Sequence, residues 1–259
     1  MKKVLNFNDV IPITYKRPHK APVKLSYDSE CNELTITANI SFSKSLLRGY
    51  ENFVAKAIRE KMGPSKPEEK TFADVAEEGI IYNWGGTYDM TPWDGPKELH
   101  VKVIINRQDR GDVPKGQRCF RIQRVYGNGT SFVTSPPWRW LWGIITGNKE
   151  CFFTLNWHPY YPGTISMNKY RSKRWFQSTV SHEFGHVLGL GDAYDAFYRF
   201  YYEAPGTQRY MMNFNNTVAP EEIMMAMRAH KLRKMQYFPC VFNWNHVWTN
   251  IKRSIFNNH

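Results

Sequence analysis

The chain has 259 residues and a mass of 30.5 kDa, enough for one large domain or two modest ones. With 42% apolar, 15% aromatic and 22% charged residues, it is not a disordered tail, a coiled coil or a fibre. Thirty-five Lys and Arg against 23 Asp and Glu give a net charge of +12, which favours anionic partners, yet no RNA- or DNA-reading motif is present and no specific nucleic acid is expected.

Residues 1–22 contain Pro12, Pro18 and Pro22 among basic residues and read as an N-terminal arm. Val23–Tyr27 and Glu33–Phe42 read as strands joined by the turn DSECN. Ser43 or Ser45 can cap a helix running to about Met62, where Gly63-Pro64 stops it. A second helix is expected from about Pro67 to Trp84, ended by Gly85-Gly86. Leu99–Asn106 is a strand, with Val101, Val103 and Ile105 on one face, and Arg107–Gly116 a polar loop. Gln117–Tyr126 and Ser131–Thr134 look like a hairpin around Gly127-Asn128-Gly129. Pro136–Gly147 reads as an aromatic loop holding Trp138, Trp140 and Trp142; Cys151–Trp157 reads as a strand and Gly163–Asn168 as a shorter one. No repeat or linker divides the chain, so residues 23–259 are expected to form one domain with a cleft between an upper part (about 23–190) and a lower part (about 191–259).

No run of 18 apolar residues occurs, so no transmembrane segment is expected. The first twenty residues lack an ordinary signal-peptide core, which leaves a cytoplasmic location or signal-less secretion open. Cys31, Cys119, Cys151 and Cys240 form no C-x-x-C pair; two long-range disulfides or free thiols fit equally.

The chemistry concentrates in Ser178–Asp192. His182 and His186 are four apart, so on a helix both imidazoles share one face and can hold one zinc. Glu183, beside the first histidine, is placed to act as general base on a water. Val180, Phe184, Val187 and Leu188 form an opposing apolar face that would bury the helix. Catalytic zinc usually has three protein ligands. Gly189 can turn the chain sharply, and Asp192, three residues on, can return beneath the metal. Asp195 is the substitute if the turn is longer, and Glu203, Glu221 or Glu222 if the third ligand comes from a later element. Five fixed positions make a chance match of the order of 1 in 10,000.

This segment resembles the metzincin clan of zinc endopeptidases, in the aspartate form HExxHxxGxxD found in some small bacterial members. The resemblance implies an α+β fold: a twisted mixed β-sheet with long helices over an active-site cleft and a smaller, irregular C-terminal subdomain. It also implies a methionine turn under the metal. Tyr210-Met211-Met212-Asn213-Phe214 looks like that turn, with Met212 the better match. In some members a tyrosine stands where this chain has Phe214, so help from a hydroxyl there is absent. Pro220, followed by Glu221 and Glu222, would open the C-terminal helix, in which His230 is expected to be packed or exposed rather than a ligand. His158 borders the expected cleft and could face substrate, and Cys31 lacks the motif of a propeptide latch.

The function expected is that of a monomeric, zinc-dependent endopeptidase. Metal ligands would be His182, His186 and Asp192, the base Glu183, and the structural residues Gly189 and Met212. Substrate would be a protein or peptide, added as a strand along Cys151–Trp157. The alternatives are a zinc hydrolase of a non-peptide amide and a non-catalytic, zinc-stabilised binding protein; a role as a bacterial effector or toxin domain is compatible with either enzyme.

Overall fold

A computed structural model describes residues 6–49, 70–125, 130–145, 155–168, 172–197, 200–214, 217–240, 244–245 and 248. The helix expected between Ser45 and Met62 lies almost wholly outside the described residues, as do Gly127-Asn128-Gly129 and Cys151. The architecture is mixed α/β. In chain order the strands are β1 (Val23–Asp28), β2 (Glu33–Phe42), β3 (Gly86–Asp89), β4 (Glu98–Arg107), β5 (Phe120–Arg124), β6 (Phe132–Thr134), β7 (Thr164–Met167), β8 (Tyr194–Phe197) and β9 (Phe200–Glu203). The helices are α1 (Phe72–Trp84), α2 (Pro137–Ile145), α3 (Lys173–Val187), the single turn α4 (Met211–Phe214) and α5 (Pro220–Leu232).

Seven strands form one mixed sheet in the order β3-β4-β2-β5-β7-β6, with β1 also paired to β2. The four central strands, β4, β2, β5 and β7, run parallel to their neighbours, while β3 and β6 close the two ends antiparallel. β1 covers Glu33–Ala38 of β2, and β5 pairs with Ile40–Phe42 beyond it. Parallel neighbours need a crossover between them, and α1 supplies the one from β2 to β4. The strand β2 has the bounds its sequence pattern predicts; Leu34, Ile36, Ala38 and Ile40 are buried at period two.

Helices α1 and α3 cross against each other. Thr71 caps α1 by accepting from Asp74 N–H, and Asp74 returns the bond to Thr71 N–H. At the crossing, a side chain on Gly79 would meet Gln177 Cα at 2.8 Å, so glycine is needed there for helix contact rather than for its conformation. Phe184 of α3 then packs between Trp84 of α1 and Phe120 of β5, with ring centroids 6.1 Å from each. Burying such a ring contributes roughly 1.5–3 kcal/mol, so this triad ties α3 to both sheet and helix.

The N-terminal arm is packed rather than loose: Phe7 and Val10 are buried, and Tyr15 accepts from Leu25 N–H of β1. Where β4 ends, the buried Arg107 bonds Asp74 and Glu77 of α1 together with Asp109, and Arg110 reaches the same Asp74 and Glu77. Burial would raise Asp74, but hydrogen bonds from Thr71 N–H and O–H, and then the Arg107 guanidinium, hold it well below the usual carboxylate range.

Three sequence expectations are corrected. The segments 117–126 and 131–134 do not form a hairpin: β7 lies between β5 and β6, parallel to the first and antiparallel to the second. A distant strand, with Ile165 and Met167 wholly buried, satisfies both inner edges better than a local turn would. Residues 137–145 form a helix, not a loop, because Pro137 stands at its first position, where its missing N–H costs nothing, and Pro136 O accepts from Arg139 and Trp140 N–H. Leu155–Trp157 are irregular rather than strand, and the outer strand at this end of the sheet is β6. Helix α3 starts at Lys173, where Ser172 caps it by accepting from Trp175 N–H. No helix among the described residues is long and apolar enough to cross a membrane.

Candidate metal centre

Helix α3 carries His182, Glu183 and His186 through its buried C-terminal turns, with Val180, Phe184 and Val187 fully buried beside them. It ends at Val187. Gly189 follows with φ +92°, the left-handed region that favours glycine, and a Cβ there would meet Ala229 and Trp157 at 2.8 Å. The turn reverses the chain. Gly191 N–H then donates to Gln236 O and Ala193 N–H to Met212 O, which fixes the backbone on either side of Asp192.

This brings His182, His186 and Asp192 together, with one ligand atom from each lying within 4.8 Å of the others. His182 Nδ1 lies 2.8 Å from Met211 O, and His186 Nδ1 lies 2.8 Å from Leu190 O. A carbonyl only accepts, so both rings donate through Nδ1–H. Each Nε2 is left with its lone pair turned inward. Asp192 Oδ1 faces both, 3.0 Å from His182 Nε2 and 3.4 Å from His186 Nε2.

With the rings neutral, two imidazole lone pairs and a carboxylate converge on one point, a set that takes up either a proton or a metal ion. Burial works against a charge on His186, but the charge and hydrogen bond of Asp192 outweigh it and hold the imidazole up to about 9. Burial would raise Asp192, and His186 and His182 hold it well below the carboxylate range. The pull on a proton is the pull expected on a divalent cation, and two nitrogens with one oxygen suit zinc. Glu183 is 4% exposed, and its Oε2 has no hydrogen-bond partner. Burial raises its pKa, while His186 and His182 lower it. A buried carboxylate oxygen with nothing to accept from, next to three converging donors, fits a site completed by a metal and a water.

The alternatives for a third ligand are placed elsewhere or used otherwise. Glu222 is buried and accepts from the N–H groups of Met211, Met212 and Ala219. Glu221 accepts from Tyr210 O–H. Among the described residues Glu203 does not join the cluster, and the side chains of Asp195 and Phe214 lie outside them. His158 accepts from Tyr160 N–H, and burial with Arg139 and Arg233 nearby pushes it down to about 4. Cys31 is a free thiol at the exposed β1–β2 turn, and Cys119 is free as well.

The methionine turn is a single helical turn, α4, lying against α3. Met211 and Met212 are both fully buried, and a Cβ on Gly185 would run into Met212 Sδ and lie 3.1 Å from Trp84. Gly185, between the two histidines, therefore lets the Met212 sulfur approach the helix backbone. Sequence reading missed this role, and it missed the part played by Glu222. Ser181 was also missed: its hydroxyl lies 2.8 Å from Gly79 O and accepts from Asn83 Nδ2–H at 3.0 Å, while Trp84 Nε1–H donates to Ser181 O. That knot fixes α3 one residue ahead of His182.

His230 of α5 lies within the core, as expected of a packed residue. Its Nδ1 is hydrogen-bonded to the Tyr15 hydroxyl at 2.8 Å, and its ring meets Trp157 edge-on. Trp157 in turn donates Nε1–H to Val187 O, at the end of the histidine helix. Compared with protein-family models, curated proteins and solved structures, the chain matches none.

Proposed function

We propose that the chain is a zinc-dependent endopeptidase of metzincin type. The observation that carries this reading is the convergence of His182 Nε2, His186 Nε2 and Asp192 Oδ1, with both Nδ1–H groups tied to backbone carbonyls. Support also comes from Met212 lying against α3 and from the mixed sheet with α1 and α3 packed together beside it.

A zinc ion held by His182, His186 and Asp192 would supply Lewis acidity toward an amide carbonyl and an attacking water. Glu183 does the proton work. Its carboxylate takes one proton as the water oxygen adds to the carbonyl carbon. It then delivers that proton to the amine nitrogen as the C–N bond breaks, giving a free amine and a carboxylic acid that keeps the water's second proton until it ionises. Burial, which raises the Glu183 pKa, favours the proton on this carboxylate between the two steps. The Met211 and Leu190 carbonyls hold both imidazoles in one tautomer, so neither ring turns during the reaction. An extended substrate would pair with the outer edge of β6, since β6 ends the sheet on this side.

The test combines zinc analysis with hydrolysis of unfolded protein and quenched peptides. The wild type is expected to retain about one zinc after loading and dialysis and to cleave peptide bonds. Glu183→Gln should retain the metal and lose about 10²–10⁴-fold in turnover. A wild type that holds no zinc, or a Glu183→Gln variant as active as wild type, refutes the reading.

A further inference from the structure

The charge of this chain is segregated along the sheet. Sixteen of its 23 acids precede Val113, whereas residues 113–182 carry ten Lys and Arg and a single acid, Glu150. In space, the acids of α1, β3 and the end of β4 lie on one half of the sheet, and β5, β7 and β6 form the other. The helix α2 follows β6 directly, so it stands at the basic end.

That helix is turned inside out. Trp138, Leu141, Trp142 and Ile145 fall at i, i+3, i+4 and i+7, which is one helical face. A stripe of this kind normally faces a core, but here the four side chains are 55%, 52%, 60% and 67% exposed. The opposite face, where Trp140 and Ile144 are the less exposed at 39% and 41%, holds the helix to the body. Gly143 is buried on it, and Arg139 donates to Asn156 O and Trp157 O while Asn156 Nδ2–H donates back to Arg139 O. The exposed stripe is therefore the orientation the anchoring bonds impose. Cations adjoin it: Trp138 packs edge-on against Tyr161 with centroids 5.2 Å apart, and the Arg118 guanidinium lies 5.3 Å over that same ring. Arg121, exposed on β5, lines one cavity with Arg118 and Tyr161, and α2 itself carries no acid.

We propose that α2 is a membrane-docking helix, which lays the Trp138/Leu141/Trp142/Ile145 stripe into the headgroup region of an anionic bilayer while the basic half of the sheet faces the lipid charge. Tryptophan and branched aliphatic residues are the side chains that settle at that depth. Basic residues strengthen attraction to an anionic surface, and their segregation to one end of the sheet would orient the chain on it. An acidic protein would match the same charge, and the vesicle measurement decides between the two. This inference does not depend on the metal centre.

Sedimentation with vesicles tests it. The wild type should bind phosphatidylcholine vesicles containing about one third phosphatidylserine, at least about tenfold more tightly than vesicles of phosphatidylcholine alone, and weaken as salt rises. The Leu141→Glu/Ile145→Glu pair should lose at least about tenfold in partitioning with an unchanged thermal melt. Should that pair fail to fold, brominated lipids give a reading on the wild type alone: insertion quenches its tryptophan emission. The proposal falls if the wild type ignores anionic vesicles or binds both kinds equally. It also falls if the folded pair binds as the wild type does, or if brominated lipids leave the emission unchanged. Light scattering that shows a dimer dissociated by the pair, without vesicle binding, would assign the stripe to contact between two copies and overturn it as well.

Discussion

Glu222 joins the methionine turn to α5, and its carboxylate is fully buried. Burial outweighs the three N–H groups it accepts from, those of Ala219, Met212 and Met211, and pushes it up to about 7 from an ordinary 4.5. Each pH unit of displacement is 1.36 kcal/mol, so the ionised carboxylate costs the fold about 3 kcal/mol. The sign follows from the direction. A carboxyl with a raised folded pKa contributes its full stability below about 4.5, and that contribution is lost as pH rises to about 7. Glu222→Gln removes the ionisation. It also leaves one N–H facing an amide, a cost of about 1–3 kcal/mol that does not vary with pH. Urea unfolding of both proteins, in chelator, from pH 4.5 to 8 isolates the titration, because every other group cancels in the difference. The difference should move in favour of the variant by about 3 kcal/mol across that range. A difference constant to about 0.5 kcal/mol would show that the carboxylate carries no buried charge at neutral pH.

Two further outcomes bear on the same scaffold. Gly189→Ala forces a side chain into a left-handed turn and against Ala229 and Trp157. A loss of about 2–4 kcal/mol by urea unfolding is expected, with weakened zinc retention, and a loss below about 0.5 kcal/mol would mean that the turn can be rebuilt without glycine. His230, pushed down to about 3 by burial, is neutral in the fold. Its contribution is complete above about 6.5 and is lost as pH falls toward about 3. His230→Phe should therefore flatten the stability profile by about 2–3 kcal/mol between pH 7 and 4.5, opposite in sign to the effect of Glu222; an unchanged slope would place the imidazole in contact with solvent.

Where information was local, the sequence was readable. The strand β2 declares itself through alternation, and α1 ends where Gly85 stands. The two histidines, the glycine turn and Asp192 lie within eleven residues, so their convergence depends only on helix pitch and one turn. What stayed hidden depends on partners far along the chain. Gly185 looks like a helix weakness until the Met212 sulfur is seen to occupy the space of its Cβ. Glu222 looks like a first-turn acid answering the helix dipole; only the fold shows its carboxylate accepting from Met211 and Met212. The hairpin expectation failed for the same reason, since β7 is some forty residues beyond β5. The same two hidden residues govern the readable motif. Glu222 fixes the backbone of Met211, Met211 O fixes the ring of His182, and Gly185 allows that turn to lie against α3. Loosening α4 should therefore free His182 while leaving His186 bound to Leu190 O. The spacing of a metal motif supplies the donors, but the aim of the first histidine is set by a carboxylate forty residues away.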